Sequence, residues 1–270
     1  MLFNGKTMVI FALILMLFMA VGVAEEERTD ASGQWEYVLE NCSAVITGYA
    51  GETGDHAWWT PIEIWIPSEL DGYTVTGIGD EAFASYAFAK HPITGVTIPD
   101  SVTSIGDGAF YSCQSLTDVT IPEGVTCIND RIFSGCKRLT SVTLPKSVTS
   151  IGAEAFMGCE SLPDIAIPEG VTSIGVSAFY WCSSLSDVVI PEGVTSVGNW
   201  AFAFSGITNV TLPPSVTSIG FNAFAYSEEI SDDDDEDAIY GNENLLLAVQ
   251  EGSYADQYAK DNSITYVFTE

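Results

Sequence analysis

The chain has 270 residues, 47% of them apolar, enough to bury a sizeable core. Lys and Arg number 8 against 37 Asp and Glu, for a formal net charge of −29. Such a chain repels nucleic acid and anionic lipid, which are bound by cationic side chains that displace counterions. It suits solubility outside the cell, a calcium-rich setting or a basic partner.

Residues 1–24 read as a secretory signal. Lys6 supplies the positive start, Met8 to Val21 is apolar, and Gly22-Val23-Ala24 offers small residues for cleavage before Glu25-Glu26-Glu27. An uncleaved anchor is the alternative, because the apolar run approaches ~17 residues, the short end of a membrane span. Residues 25–72 form an expected N-terminal cap. Trp35, Tyr37 and Val38, then Ala44 to Thr47, read as short strands, and Ile62 to Pro67 alternates apolar with polar as a strand does. Glu69-Leu70-Asp71-Gly72 is turn chemistry, with Gly72 free to take positive φ. Trp35, Trp58, Trp59 and Trp65 are expected to seal the open end of the repeat array that begins at residue 73; a Trp-lined ligand pocket is the sharper alternative. His56 beside Asp55 reads as a surface pair.

Residues 73–230 repeat. Phe83, Phe110, Phe133, Phe156, Phe179, Phe202 and Phe224 are separated by 27, 23, 23, 23, 23 and 22 residues. Ile78, Ile105, Ile128, Ile151, Ile174, Val197 and Ile219 keep the same steps, each before Gly except Ile128 before Asn129, and Pro99, Pro122, Pro145, Pro168, Pro191 and Pro213 keep the beat. A period in this range means a solenoid in which each unit touches only its neighbours. Within one unit, Val119 and Ile121 share the inner face of a strand while Asp118 and Thr120 face solvent. Pro122 ends the strand, having no N–H to give. Val125 and Ile128 point back from the opposite wall, and Ala109, Phe110 and Cys113 follow the spacing of a short helical turn. Cys113, Cys136, Cys159 and Cys182 hold one place, three after the Phe, with Ser205 next. Parallel rungs do not converge as a disulfide requires, so these are small fillers. No C-x2-C pair exists for zinc.

Leu-x-x-Val-x-Ile-Pro followed by Val-x-x-Ile-Gly-x-x-Ala-Phe-x-x-Cys resembles the leucine-rich repeat of the BspA type, found in bacterial surface proteins. The resemblance implies a β-rich (α+β) leucine-rich-repeat solenoid. It has about seven stacked coils of ~23 residues, a parallel sheet on one face, short helical turns on the other and atypical caps at both ends. It also implies adhesion to host matrix or plasma proteins, or to other cells. Three departures stand out: a four-residue extension around Tyr86 to Pro92, a lost residue at Ser205-Gly206, and Gly or Ser where many such repeats carry Asn.

Residues 231–244 form an acidic insert, Asp232 to Asp237 being wholly acidic; such runs are usually disordered loops. A weak calcium candidate lies here: Asp232, Asp234, Glu236 and Glu243 match EF-hand ligand places, although Asp237 stands where Gly is expected. Residues 245–270 form the expected C-terminal cap, with a strand at Leu245 to Val249, a short helix from Ser253 to Lys260 and a sealing strand at Ile264 to Phe268.

No catalytic constellation is visible. His56 and His91 lie near turns, and no Ser or Cys occupies a nucleophile elbow. Two surfaces remain as candidates for binding extracellular proteins or glycoproteins. The sheet face carries Asp118, Asp164 and Asp187 among small polar residues, poor material for a hot spot. The outer turns carry Tyr180, Trp181, Trp200, Phe204 and Tyr226, with Tyr111 and Met157 earlier. The expected function is a non-catalytic, secreted or cell-surface protein-binding module with no cofactor. The alternatives are a structural spacer of the envelope and, remotely, an extracellular hydrolase, for which the array offers no deep cleft.

Overall fold

A computed structural model describes residues 26–50, 61–84, 92–224 and 244–269. The leader, Trp58, Trp59, His56, His91, Tyr226 and the acidic run with its four calcium candidates lie outside the described residues.

The seven repeat phenylalanines form one continuous column. Successive rings from Phe83 to Phe224 lie 5.0–5.6 Å apart between centroids, with planes within 23° of parallel. That spacing is close to the distance between adjacent strands of a sheet, roughly 4.8 Å, so each ring marks one coil of a solenoid. Around the column stand the Ile, Val and Leu of each unit, nearly all fully buried, as are the four ladder cysteines. One coil cannot bury enough apolar surface to offset the ordering of its own backbone; stacking gives each coil its neighbours' walls.

The broad face is parallel sheet. Ile62–Trp65, Ile93–Thr97, Asp118–Thr120 and Ser141–Thr143 pair as parallel neighbours, with one register shift between Ile62 and Glu63, as do Asp187–Val189, Asn209–Leu212, Leu246–Val249 and Thr265–Phe268 without a shift. The single sheet expected from the repeat is interrupted between these halves. In the neighbouring coils Thr117 and Thr140 donate their N–H to the carbonyl of the preceding coil, at 3.1 and 2.8 Å. Pro163 occupies that place in the next coil and has no N–H to donate, so no strand forms from 163 to 167 although Ile165 and Ile167 still point inward. The opposite wall is a second, five-stranded parallel sheet of two-residue strands, from Cys127–Ile128 to Ser218–Ile219. Glycine precedes the turn here for a steric reason: a Cβ on Gly175 would sit 2.5 Å from the backbone carbon of Gly152 in the coil before.

The outer turns are not helical, contrary to the sequence expectation. Among the described residues, those two before and two after each repeat Phe take left-handed backbone, for example Gly108 and Ser112 around Phe110, and Arg131 and Gly135 around Phe133. Gly108, Phe110 and Ser112 then donate to Asp130, Ile132 and Ser134 of the next coil at 2.7–3.0 Å, while the N–H groups of Ala109 and Tyr111 turn back to Gly106 and Gly108. Alternate N–H groups thus leave the turn along the solenoid axis, which a helix does not permit. The Ala-Phe-x-x-Cys spacing fits both arrangements, and hydrogen bonding between coils selects this one.

The cysteine ladder is a set of thiols, each reaching back one coil. Sγ of Cys113, Cys136, Cys159 and Cys182 donates to the carbonyl of Phe83, Phe110, Phe133 and Phe156 at 3.0–3.3 Å. Burial pushes the Cys113 and Cys182 thiols up to about 12 and those of Cys136 and Cys159 well above their ordinary value. All are unbridged, as the ladder geometry demands.

Two different caps end the column. At the start, Trp35–Glu40 and Ser43–Tyr49 form a hairpin through Asn41 and Cys42, both at positive φ, the twist-matched form of a two-residue turn. Trp35 sets its ring against Phe83 at 6.5 Å. Trp65 does not help to seal this end: Ile62, Ile64 and Ile66 take the inward places, and alternation leaves Trp65 68% exposed on the sheet face. Gly72 has the expected positive φ, in a tight turn with Asp71. At the far end the helix Tyr254–Asp261 is capped by Ser253, whose hydroxyl accepts from the N–H of Asp256 at 3.1 Å. The helix buries Ala255 and Ala259 and lays Tyr258 against Phe224. The last strand, Thr265–Phe268, extends the sheet edge: Ile264 and Tyr266 pack against the core beside the helix, while Val267 and Phe268 are half exposed.

Candidate functional site

The outer turns of the last coils gather aromatic rings. Tyr180 lies 5.6 Å from Trp181 and 5.1 Å from Phe204; Phe204 lies 6.5 Å from Trp200; Trp200 lies 5.6 Å from Phe221. The rings run across three coils as one strip. Trp181 is 54% exposed and Phe221 61%. Tyr180, Trp200 and Phe204 are half-buried, and burial raises the phenol of Tyr180. Tyr180, Trp181, Trp200 and Phe204, singled out in the sequence, are therefore together. Tyr111 and Met157 are half-buried in the turns of earlier coils, on the same place as Tyr180.

The backbone under this strip is unusual for the side chains it carries. Two places after the Phe, earlier coils put Ser112, Gly135 and Gly158, all left-handed; the last described coils put Trp181 at φ 59° and Phe204 at φ 55°. Two places before the Phe, Trp200 has φ 58°. A bulky residue in this region is a genuine outlier, costing roughly 1–2 kcal/mol against ordinary backbone. The ladder of hydrogen bonds between coils holds the turn in this shape whatever the side chain, Trp200 donating to the carbonyl of Phe221 at 3.0 Å and Trp181 to that of Ala203 at 3.1 Å.

Phe221 escapes a reading of the sequence alone. Its signal lies in its column: the residue three before the Phe is Asp80, Asp107, Asp130, Ala153, Val176 and Asn199 in turn, and an aromatic closes a series that begins acidic. The early members of that column have a structural task, Asp80 accepting from the N–H of Asp107 and Asp130 from that of Ala153.

The sheet face keeps Asp118, Asp164 and Asp187 exposed, one coil or more apart. Asp118 accepts from the hydroxyl of Thr117 at 2.8 Å, and Asp187 from Ser186 and from the amide of Asn209, at 3.0 and 2.7 Å. The three carboxylates are spread along the face, and Asp118 and Asp187 are tied to neutral neighbours. Among the described residues no group of three His, Cys, Asp or Glu is placed to hold a metal ion. Among the same residues no helix is long and apolar enough to cross a membrane.

The profile of the BspA type leucine rich repeat region matches residues 81–180 and 115–231, in six copies. The chain belongs to the BspA-type leucine-rich repeat family. Its Phe column, cysteine ladder and strand-ending prolines are that repeat written in packing. Among solved structures this BspA-type chain is similar to a leucine rich cell surface protein from Faecalibacterium prausnitzii A2-165, at 34% identity and a TM-score of 0.68. That match covers 85% of this chain and 56% of the other, so the chain spans little more than half the length of that relative. A leucine-rich repeat protein from Bacteroides ovatus shares the fold at 22% identity and a TM-score of 0.52, covering 92% of this chain and 67% of that one. No curated protein matches the chain.

Proposed function

We propose that this chain is a non-catalytic, cell-surface module that binds extracellular protein, and that the aromatic strip of its last coils is the contact surface. The supporting observation is the placement of Trp181, Trp200 and Phe204 on left-handed backbone where other coils carry Gly, Ser, Asn or a charged side chain. Strain held against propensity, with Trp181 and Phe221 more than half exposed, is the mark of a site kept for use. Exposed, contiguous aromatic rings are also the material of binding hot spots, which the small polar sheet face lacks. Similarity to a cell surface protein supports the location.

The direct test is a screen of the chain against immobilised matrix and plasma proteins, with Trp181→Gly and Trp200→Gly beside the unaltered protein. Binding that falls by about thirtyfold or more in the variants, the loss expected of a hot-spot aromatic, supports the reading. Binding unchanged by both removes the strip from it, and a screen that finds no partner favours a spacer role.

A further inference from the structure

A groove opens beside the strip, between the outer turn of the last described coil and the C-terminal helix. Its volume is about 310 Å³, and Phe221, Asn222, Tyr254, Gln257, Tyr258 and Asp261 are among its walls. That volume sits at the lower end of small-molecule sites, where a single ring fits. The array does therefore carry a cleft, at the joint between repeat and cap, which a reading of the repeat alone does not reveal.

The walls are of two kinds. Phe221, Tyr254 and Tyr258 supply aromatic surface, and Phe221 and Tyr254 are 61% and 45% exposed. The rest is amide and carboxylate. Gln257 donates to Asp261 at 2.7 Å, and the Asn262 amide donates to the carbonyl of Tyr258 at 2.9 Å. Asn222 is held at φ 52°, and its Nδ2 is buried with no hydrogen-bond partner. With no surface open to the groove, that donor offers a ligand nothing, and the polar contacts available are those of Gln257, Asp261 and Asn262.

These walls select the ligand's chemistry. Among the described residues no Lys, Arg or His lines the groove, and the charged side chain among its walls is Asp261. Lys260 on the same helix is engaged with Asp256 at 2.8 Å. Phosphate, sulfate and carboxylate ligands are therefore disfavoured, the more so on a chain of net charge −29. A wholly apolar ligand leaves the amides of Gln257 and Asn262 and the carboxylate of Asp261 desolvated. A pyranose ring answers both halves: its axial C–H face lies on aromatic surface, and its hydroxyls both donate and accept around the rim. We propose that this groove binds a neutral pyranose ring of a glycan. The proposal stands apart from protein binding by the strip, since its polar contacts come from the helix and not from Trp181 or Trp200.

Saturation-transfer NMR on the full chain tests it, with cellotriose, maltotriose and chitotriose as neutral probes and sialyllactose as an anionic one. The expected result is transfer to ring protons of at least one neutral probe and none to the sialyl unit. Gln257→Ala, which removes an exposed rim amide, and Tyr254→Ala, which removes a half-exposed ring, each weaken binding by about tenfold, whereas Trp181→Gly leaves it unchanged. No transfer to any neutral probe, transfer that both groove variants leave intact, or preference for the sialyl unit overturns the proposal.

Discussion

Tyr258 meets Phe224 edge to face, the two rings 6.3 Å apart and inclined at 70°. Trp35 meets Phe83 in the same manner at the other end, at 6.5 Å and 76°. The column of stacked phenylalanines is thus closed at each end by a ring turned across it, one from a β-hairpin and one from a helix. Two unrelated cap elements solve one problem, the apolar end that every open solenoid exposes.

The column makes interior and terminal rings unequal. Phe156→Ala removes a fully buried ring that has neighbours on both sides and should cost about 3–5 kcal/mol. Tyr258→Ala uncaps the column without opening its middle and should cost less, about 1–3 kcal/mol. Urea unfolding of the two variants checks the order.

The thiol ladder predicts alkaline lability. In the folded chain the ladder thiols keep their protons to pH about 12 for Cys113 and Cys182 and to well above the ordinary value for Cys136 and Cys159, whereas in the unfolded chain they ionise near ~8.5. The folded state then binds more protons, so the stability these groups contribute is intact below pH ~8.5 and is lost as pH rises toward about 12. Tyr258, raised by burial to about 12, acts in the same direction over a narrower window. A chain with all four cysteines changed to Ala should show a shallower decline of melting temperature above pH 9. At neutral pH a thiol reagent should modify the exposed Cys42 and Cys127 in the folded protein and reach the ladder only on unfolding.

Pro163 predicts a gain from its own removal. Pro163→Thr restores the side chain and the N–H that its column carries at Thr94, Thr117 and Thr140. The new amide should bond the carbonyl of Thr140 and join the two sheets. Hydrogen exchange should show protection at residue 163, with stability raised by no more than about 1 kcal/mol, because the lost proline also loosens the unfolded chain.

Sequence and structure agree where one physical cause repeats. The Phe, Ile and Pro columns are legible because every coil packs the same way, and Ser253 reads as a helix cap because three residues on lies the N–H that it satisfies. The left-handed turns are hidden, since their places are filled by Glu81, Arg131, Glu154, Trp181 and Trp200 and not by glycine alone. Their conformation comes from hydrogen bonds to another coil, which local propensity does not record. Trp65 is misplaced when residue type is weighed over alternation, and the groove beside Phe221 joins residues more than thirty positions apart.

The central claim is that the aromatic residues of the last coils are kept for contact and not for folding. The double variant Trp181→Gly, Trp200→Gly tests it most directly, with thermal unfolding and partner binding read on the same sample. Relief of left-handed strain roughly balances the lost ring contacts, so stability should stay within about 1 kcal/mol of the unaltered chain while binding is lost. A collapse of stability by several kcal/mol, with binding preserved under conditions where the variant remains folded, would contradict the account.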